Sequence, residues 1–326
     1  MKIRALALIS GGLDSLLAAK LIQNQGIEIT GIHFKIPFCK LNFKEKYPEI
    51  GMKIIEVDLG KDFLCLIRKP RYGFGSNMNP CIDCKILMFS KAKGLMPGLG
   101  ARFIVSGEVL GQRPMSQNKQ ALKLIQERSG LGDFLLRPLS AQFFPPSLAE
   151  KEGWVKREKL LNLNGRSRTP QVKLAESLGV LNYLTPAGGC LLTDPCFSKK
   201  LRELLLHNEL NSDNLELLKI GRHFRIGEKT RLVVGRDEKE NNLILKFAVR
   251  KDYLMFPQSD LAGPTCLIRG AVTRKQVLLS SQITSAYTDV HSLKEIKVFY
   301  RKVPETKDTL QKVACAAKKD FAHLLI

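Results

Sequence analysis

The sequence contains no long apolar run, and no stretch approaches the roughly 18 to 20 consecutive apolar residues of a membrane-spanning helix. Its first residues also lack the pattern of a signal peptide. Internal repeats and low-complexity tracts are absent. We therefore expect a cytoplasmic protein without a membrane partner. In that reducing compartment, its eight cysteines point to metal or redox chemistry before structural disulfides.

Acidic residues are scarce relative to basic ones. The 326-residue chain has 31 Asp and Glu against 52 Lys and Arg, a net charge of +21. This asymmetry suits a polyanionic partner, with nucleic acid as the first candidate, although a basic but otherwise ordinary enzyme is the simpler alternative. The charge is spread along the chain, which favours a groove formed by both halves over a single basic arm.

A glycine turn follows the first apolar run. Residues 5–9 are predicted to form a buried parallel strand and residues 16–22 a helix. Between them stand Ser10, Gly11, Gly12, Leu13, Asp14 and Ser15. Such a turn binds phosphate, because glycines allow close approach and the helix N-terminus offers free N–H groups and a favourable dipole. Asp14 can cap the helix, as in an ordinary turn, or help hold magnesium on the phosphates.

Strands and helices alternate through the first half of the chain. Further strands are predicted at residues 27–35, 52–57, 102–105 and 134–137, with helices at 82–93 and 116–127. This order predicts an α/β fold with a doubly wound parallel sheet, which binds ligands at the carboxyl ends of its strands. The loops after Ile9, Phe34 and Val105 should therefore share one rim.

The second half differs in pattern. Residues 147–206 are predicted to be mostly helical, with breaks at Gly165, Pro170 and residues 186–189. A polar stretch at 208–214 marks a domain boundary. Shorter strands follow at 231–234, 266–268 and 296–300, with at least one helix. We therefore predict a nucleotide-binding domain over residues 1–208 and a second, smaller α+β domain over 209–326.

The Ser-Gly-Gly-Xaa-Asp-Ser turn resembles the pyrophosphate loop (PP-loop) of the ATP pyrophosphatase superfamily, and it lacks the Gly-Lys-Ser/Thr ending of a Walker loop. The resemblance implies an adenine nucleotide alpha hydrolase-like fold, with ATP and Mg²⁺ as cofactors. Members cleave ATP between the α- and β-phosphates and adenylate a substrate carbonyl. The ATP-binding residues implied are Ser10, Gly11, Gly12, Asp14 and Ser15. This motif alone does not choose among asparagine and GMP synthetases, tRNA lysidine synthetase and tRNA thiolases.

Two later motifs resemble those of 4-thiouridine synthase in the same order. One is His-Phe-Lys-Ile-Pro-Phe at residues 33–38, which resembles His-Phe-Xaa3-Pro-Phe of that family with one residue fewer before the proline. The other begins with Gly-Glu at residue 107 and ends with Ser-Gln at 117. The resemblance implies that His33, Phe34, Gly107 and Gln117 help hold the nucleotide. The second motif carries one extra residue, so its geometry can differ. A partly exposed histidine and an ordinary helix-start loop are the simpler alternatives.

Three cysteines lie in motifs that suggest chemistry. Cys81 and Cys84, three residues apart at a predicted helix start, can bind a metal or exchange thiol and disulfide. Their segment, which begins Asn-Pro, resembles that of the tRNA 2-thiouridylases. Cys190 follows Ala-Gly-Gly, in a segment comparable to that of the late catalytic cysteine of the tRNA thiolases. With Asp14, these three cysteines are the catalytic candidates.

Several chemistries fit these cysteines. Cys81, Cys84 and Cys190 can hold a [4Fe-4S] cluster by three irons, leaving the fourth open for sulfide. A persulfide on Cys190 or Cys84, released by disulfide formation, is a second route. Zinc held with Cys196 as fourth ligand, or simple buried thiols, are further alternatives. The remaining four cysteines are predicted to be buried thiols: Cys39, Cys65, Cys266 and Cys315.

Other polar residues near these motifs have two readings each. Asp83, between the paired cysteines, can act as a base or merely favour the first turn of a helix. Arg113, Lys119 and Lys123 can contact RNA phosphate or remain solvated.

The second domain resembles the RNA-binding module of the ribosome quality-control proteins. The similarity covers about residues 220–301 and rests on Gly235-Arg236 and on a glycine-led segment at 263–270. Asp237, Asn242 and Thr265 depart from the typical Asn, Asp and His. The resemblance makes Arg236 and Arg269 candidates for RNA phosphate contacts, although both can equally brace the module.

The motifs together predict an ATP-dependent tRNA sulfurtransferase that adenylates a uridine and receives sulfur from an unidentified sulfide or persulfide carrier. The 4-thiouridine synthases carry a ferredoxin-like piece and a THUMP domain before the PP-loop, whereas nine residues precede it here. We therefore expect target selection to differ. Two alternatives are an enzyme that activates a small molecule and a non-catalytic RNA-binding protein.

Overall fold

The computed structural model describes residues 2–39, 51–183, 190–290 and 293–326. The chain divides into two compact units, Met1–Asp194 and Pro195–Ile326. Among the helices in these described ranges, none has the length and apolar character needed to cross a membrane.

The first unit is built on a five-stranded parallel sheet with strand order β3-β2-β1-β4-β5. The strands are β1 Arg4–Leu8, β2 Glu28–Lys35, β3 Lys53–Asp58, β4 Phe103–Val105 and β5 Leu135–Leu136. The five predicted strands are confirmed, with bounds shifted by one or two residues. The α/β class predicted from the alternating pattern is confirmed as well.

Helices flank this sheet: α1 Leu13–Gln23, α2 Gly60–Arg68, α3 Cys81–Leu95, α4 Lys119–Arg128, α5 Leu148–Lys151 and α6 Thr169–Leu178. The predicted helix at 116–127 begins later because the Asn118 side chain caps it, accepting from the Ala121 N–H at 2.8 Å. The segment predicted to be mostly helical, 147–206, contains α5, α6 and a helix at Pro195–Leu206, with non-helical stretches between them. Gly153 and Gly165 adopt positive φ values of 67° and 84°, and loops with short 3-10 turns occupy much of the segment between them.

Both faces of the parallel sheet are buried. Ala5, Ala7 and Val105 belong to a core with Leu16 and Leu17 of α1. On the opposite face, alternate strand residues pack with side chains of α3 and α4; they are Leu6, Ile32, Phe34, Ile104, Phe89, Ala92 and Ile125. Burial on both faces explains why the strands read as continuous apolar runs.

The strand order reverses at β1, which has β2 on one side and β4 on the other. The loops that leave β1 and β4 therefore run to opposite faces of the sheet and leave a crevice between them. In open α/β sheets, ligands bind in this position.

The second unit contains a six-stranded antiparallel sheet of order β11-β10-β8-β9-β7-β6. Its strands are β6 Arg222–Gly227, β7 Thr230–Val234, β8 Tyr253–Pro257, β9 Cys266–Gly270, β10 Glu295–Lys302 and β11 Thr309–Ala314. Its helices are α7 Pro195–Leu206, α8 Ser212–Leu218, α9 Glu238–Phe247 and α10 Arg274–Ala286. The α+β character is as predicted, but three of the six strands, β6, β8 and β11, were missed.

The division between the units precedes α7, whereas the sequence suggested a boundary at residue 208. Contacts within the second unit account for the difference. Glu203 of α7 accepts a 2.5 Å hydrogen bond from Arg225, and Lys200 donates to the Gly221 carbonyl at 3.2 Å. The polar stretch at 208–214 is therefore a connection inside the second unit.

Candidate functional site

The loop after β1 is held open by its own serines. Gly11 takes a positive φ of 76°, and Gly12 stands at the N-cap of α1 without a side chain to occupy the helix end. The Ser15 hydroxyl donates to the Gly12 carbonyl at 2.7 Å and accepts from the Ser10 N–H at 3.3 Å. The N-cap of α1 makes no side-chain cap hydrogen bond, and a helix N-terminus of this kind suits an anion.

Gly107 brings the loop after β4 directly against this turn. A Cβ on Gly107 would lie 2.5 Å from the Asp14 carbonyl oxygen and 2.6 Å from the Ser15 Cα. Only backbone can pack so closely. The structure therefore brings together two of the three loops predicted to share a rim, those after β1 and β4.

Asp14 is largely buried at this junction. Its Oδ2 lies 4.0 Å from the Arg168 guanidinium. Burial raises the pKa of the Asp14 carboxyl. The charge of Arg168 opposes this rise most strongly, followed by the side-chain amide of Gln112, the charge of Arg113 and the side-chain amide of Gln171. The rise in pKa shows that these groups do not fully replace the solvent that Asp14 has lost.

Several buried polar atoms at this rim lack a partner in hydrogen-bond geometry within the described ranges. They are Asp14 Oδ1, Gln112 Nε2, Gln117 Oε1 and Gln171 Oε1. Unpaired buried polar atoms are costly, so their concentration here fits a site for a polar ligand.

Gln117 was predicted from its motif, whereas Gln112, Arg168 and Gln171 were missed as site residues. Gln112 lies inside the same motif. The other two lie at the start of α6, where no recognised motif marks them.

His33 and Phe34 lie inside the sheet. The His33 Nδ1 is 2.9 Å from the Ile9 carbonyl oxygen, so the ring contacts the end of β1. Phe34 is buried in the core beneath α3. Nucleotide contact by these two residues stays a prediction.

Four cysteines gather near the rim; we name Cys39, Cys81, Cys84 and Cys190 the cysteine group. Cys81 and Cys84 occupy the first turn of α3. The backbone of Cys190 pairs with that of Cys39 in an isolated antiparallel β-bridge, and both thiols are free. Leu192, two residues after Cys190, contacts the loop before α3. Its carbonyl accepts a hydrogen bond from the Met78 N–H at 3.2 Å.

Cys39 and Cys65 were predicted to be buried thiols. The structure instead places Cys39 opposite Cys190, and Cys65 is exposed on α2. Residues 187–189, the Ala-Gly-Gly segment of the sequence motif, lie outside the described residues.

The thiols of this group influence one another. Burial raises the pKa of Cys190 to about 11, and nearby Cys81 and Cys39 add to the rise, while Arg113 opposes it. Burial also raises the pKa of Cys84, with Cys190 and Cys81 as further causes. At neutral pH, Cys84 and Cys190 are therefore protonated thiols.

Within the residues that the structure describes, no three His, Cys, Asp or Glu side chains form a group that could hold a metal ion. Cys196, the fourth zinc ligand considered above, is exposed on α7 in the second unit. The described residues therefore do not form a preassembled zinc site.

Arg113 links the two parts of the site. This exposed residue lies in the loop after β4, and its charge lowers the pKa of both Asp14 and Cys190. Because such influence falls off with distance, Arg113 lies within electrostatic range of both the PP-loop and the cysteine group.

Glu108 forms a buried ionic hub behind this space. It accepts from Lys85 at 2.5 Å and from Arg137 at 2.8 Å. Burial alone would raise the pKa of Glu108, but the two cations lower it below its ordinary value. Since Lys85 follows Cys84 directly, the hub fixes the cysteine helix to the loop after β4. The sequence motif marked Glu108 but not its partners.

Asp83 holds a neighbouring loop. Its carboxylate accepts from the backbone N–H groups of Arg71 at 2.9 Å and Tyr72 at 3.0 Å. This arrangement gives Asp83 a structural role, although neither of its two predicted roles included the loop.

Lys119 and Lys123 are exposed on α4. RNA contact by these lysines stays a prediction, as it does for Arg113.

In the second unit, both RNA candidates have internal partners. Arg236 is half-exposed and forms an ion pair with Glu240. Arg269 is mostly buried and donates to Asp252 at 2.6 Å, to Asn214 and to the Phe247 carbonyl. The alternative that these arginines brace the module is therefore the one their contacts support, most clearly for Arg269.

Comparison with known proteins matches each unit separately. Residues 1–142 match the family model described as "Thiamine biosynthesis protein (ThiI)", and residues 221–324 match that described as "NFACT protein RNA binding domain". The two resemblances stated from the sequence motifs are confirmed for these segments.

Among curated proteins, the "Probable tRNA sulfurtransferase" of Methanothermobacter thermautotrophicus is 26% identical over 240 residues, covering 70% of this chain and 54% of the relative. A protein of the same name from Thermococcus kodakarensis is 28% identical over 145 residues, covering 42% of this chain and 36% of the relative. The chain thus spans about half or less of the length of these relatives.

Among solved structures, a 4-thiouridine synthetase–RNA complex with bound ATP aligns with a TM-score of 0.39 at 19% identity, covering 66% of this chain and 52% of that one.

Proposed function

We propose that this chain is an ATP-dependent tRNA sulfurtransferase that exchanges a uridine carbonyl oxygen for sulfur. The observation that carries the proposal is the position of the loop after β4. Gly107 of this loop packs against the backbone of Asp14, and Glu108 pairs with Lys85, which directly follows Cys84. A sulfurtransferase needs the activated carbon and the sulfur source in one space. The relatives named tRNA sulfurtransferase support the same conclusion.

In the first half-reaction, ATP lies on the loop formed by residues 10–15. The uridine oxygen attacks the α-phosphorus, and the bond to the β-phosphate oxygen breaks as pyrophosphate leaves. The backbone N–H groups and the dipole at the start of α1 stabilise the charge that develops on the phosphates. Asp14 Oδ1, buried without a hydrogen-bond partner in the described ranges, is an oxygen donor of the kind Mg²⁺ prefers. A bound Mg²⁺ would neutralise phosphate charge.

In the second half-reaction, sulfur attacks the activated carbon, and AMP leaves with the original oxygen. The cysteine group offers two routes. Three cysteines suit a [4Fe-4S] cluster by their chemistry, because each would bind a different iron and the sulfurs need not converge on one ion. Such a cluster would supply an open iron for sulfide. In the other route, Cys190 or Cys84 carries a persulfide, and a second thiol releases its sulfur by forming a disulfide.

The test separates the two half-reactions in purified protein with tRNA and ATP. Asp14→Asn should abolish pyrophosphate release. Cys190→Ser should retain pyrophosphate release yet form no thiolated nucleoside, as measured by mass spectrometry of digested tRNA. Cys65→Ser, at an exposed cysteine of α2, is the matched control and should behave as the unaltered chain.

Equal loss of pyrophosphate release in the Asp14 and Cys190 variants would contradict this division of roles. An unaltered protein that releases pyrophosphate without tRNA, on addition of a small acceptor, would favour small-molecule activation instead.

A further inference from the structure

The antiparallel sheet of the second unit has two unlike faces. Ile296, Val298 and Val313 belong to the core beneath α10. The alternate residues of β10 and β11 point to the opposite side, since successive side chains in a strand alternate. On that opposite face, α9 packs near β9, and Leu254 and Leu267 are buried with Phe247.

A row of apolar side chains crosses the rest of this second face. Phe299 of β10 lies opposite Phe256 of β8 on one side and Leu310 of β11 on the other. Phe256 and Phe299 are half-buried, and Leu310 is 45% exposed. We name these three residues the aromatic row. Solvent therefore reaches a strip of apolar surface three strands wide.

Cations border the aromatic row on both sides. Lys297 of β10 and Lys312 of β11 are cross-strand partners one step away along the strands, and both are exposed. On the other side, the Arg301 guanidinium lies 5.1 Å from the centre of the Phe256 ring and 3.0 Å from Asp308. Glu295, at the start of β10, is an exposed acidic residue near these lysines.

We propose that the aromatic row and its two lysines form a docking surface for single-stranded RNA. Aromatic rings that solvent reaches can stack unpaired bases, while neighbouring cations contact the backbone phosphates. A double helix hides its base faces and cannot use such rings. The inference rests on the proposed function, because it takes RNA as the partner, and it assigns the RNA contact to residues other than Arg236 and Arg269.

The test measures fluorescence anisotropy of two labelled RNAs with the full chain, one a single strand of about 12 nucleotides and the other a duplex of equal length. Phe299→Ala should weaken single-strand binding about 5- to 100-fold, the usual effect of removing one stacked base contact. Phe299→Tyr should restore it, whereas Phe299→Leu, which keeps an apolar side chain, should not. Leu278→Ala is the matched control, since Leu278 is 44% exposed on α10 at the other face.

The lysines are tested by the salt dependence of single-strand binding. The plot of log affinity against log salt has a negative slope. Its magnitude should decrease by about 0.7 for each of Lys297→Ala and Lys312→Ala. A role confined to the fold would leave this slope unchanged. Circular dichroism melting curves verify that each variant is folded.

Single-strand binding that is unchanged in folded Phe299→Ala, or a preference for the duplex, would overturn the inference, as would an unaltered chain that binds neither RNA. The proposed function is measured separately by tRNA thiolation. Thiolation without any role for Phe299 removes this inference alone. Phe299-dependent binding without thiolation removes the proposed function alone.

Discussion

Gly107 touches the backbone of Asp14 so closely that a side chain has no place between them. A Cβ on Gly107 would come within 2.6 Å of three backbone atoms of Asp14 and Ser15. Backbone atoms cannot move aside as the end of a flexible side chain can. The position of the loop after β4 relative to the PP-loop therefore depends on this glycine.

Gly107→Ala should push the two loops apart and lower the rate of ATP-dependent pyrophosphate release by about 100-fold, the usual effect of a misplacement near 1 Å. The free energy of unfolding should decrease by about 1–3 kcal/mol. Gly94→Ala in α3 is the control. A Cβ there meets nothing within 4 Å, so stability should stay constant or rise by up to about 1 kcal/mol. Normal pyrophosphate release by Gly107→Ala would refute the steric argument.

Glu108→Gln should destabilise the first unit by about 3–5 kcal/mol in urea denaturation at pH 7, because it leaves two cations without their buried partner. The side chains of Glu108 and Arg137 are only 6% and 3% exposed. Glu127→Gln, which breaks an exposed pair with Lys123, should cost less than about 1 kcal/mol.

The unaltered chain and the Glu108→Gln variant should differ in how their stability responds to acid. Because Lys85 and Arg137 lower the pKa of Glu108, its ionised form stabilises the folded state above the ordinary value of 4.5, and this contribution is lost as pH falls below that value. The stability difference between the unaltered chain and Glu108→Gln should therefore shrink below pH 4.5. A difference that is constant from pH 7 to acid would show that the ion pairs are not its cause.

Cys190 should react slowly with iodoacetamide at neutral pH. Only the thiolate reacts, and burial raises the pKa of Cys190 to about 11. Its alkylation rate, followed by peptide mass spectrometry, should rise about tenfold per pH unit and keep rising through pH 10, whereas an ordinary thiol levels off near pH 8.5. A plateau near pH 8.5 would place Cys190 in a more solvated setting than the one described.

Arg113→Ala should slow the alkylation of Cys190 at pH 9, because loss of the cation raises the pKa of the thiol further. Arg113→Lys should retain most of the unaltered rate. Arg128→Ala removes another exposed cation, on α4, and should have no effect. If Arg113→Ala leaves the alkylation rate unchanged, Arg113 does not connect the PP-loop to the cysteine group.

Local features made part of the site predictable. The PP-loop at residues 10–15, the strand before it and the helix after it are contiguous, so a glycine turn between two apolar patterns sufficed to locate them. Gly107 and the Cys81–Cys84 pair also lie in short motifs. The strands of the second unit were harder to find, because half-buried strands such as β11 have weaker apolar patterns.

The sequence by itself determined the parallel α/β sheet, its glycine turn and the presence of a second α+β module, because each follows from patterns over a few residues. The tertiary structure decided which distant residues meet. It placed the backbone of Cys39 opposite that of Cys190. It paired Glu108 with Lys85 and Arg137, and it brought Arg168 near Asp14. These meetings depend on strand order and helix packing, which bring together segments that no local pattern connects.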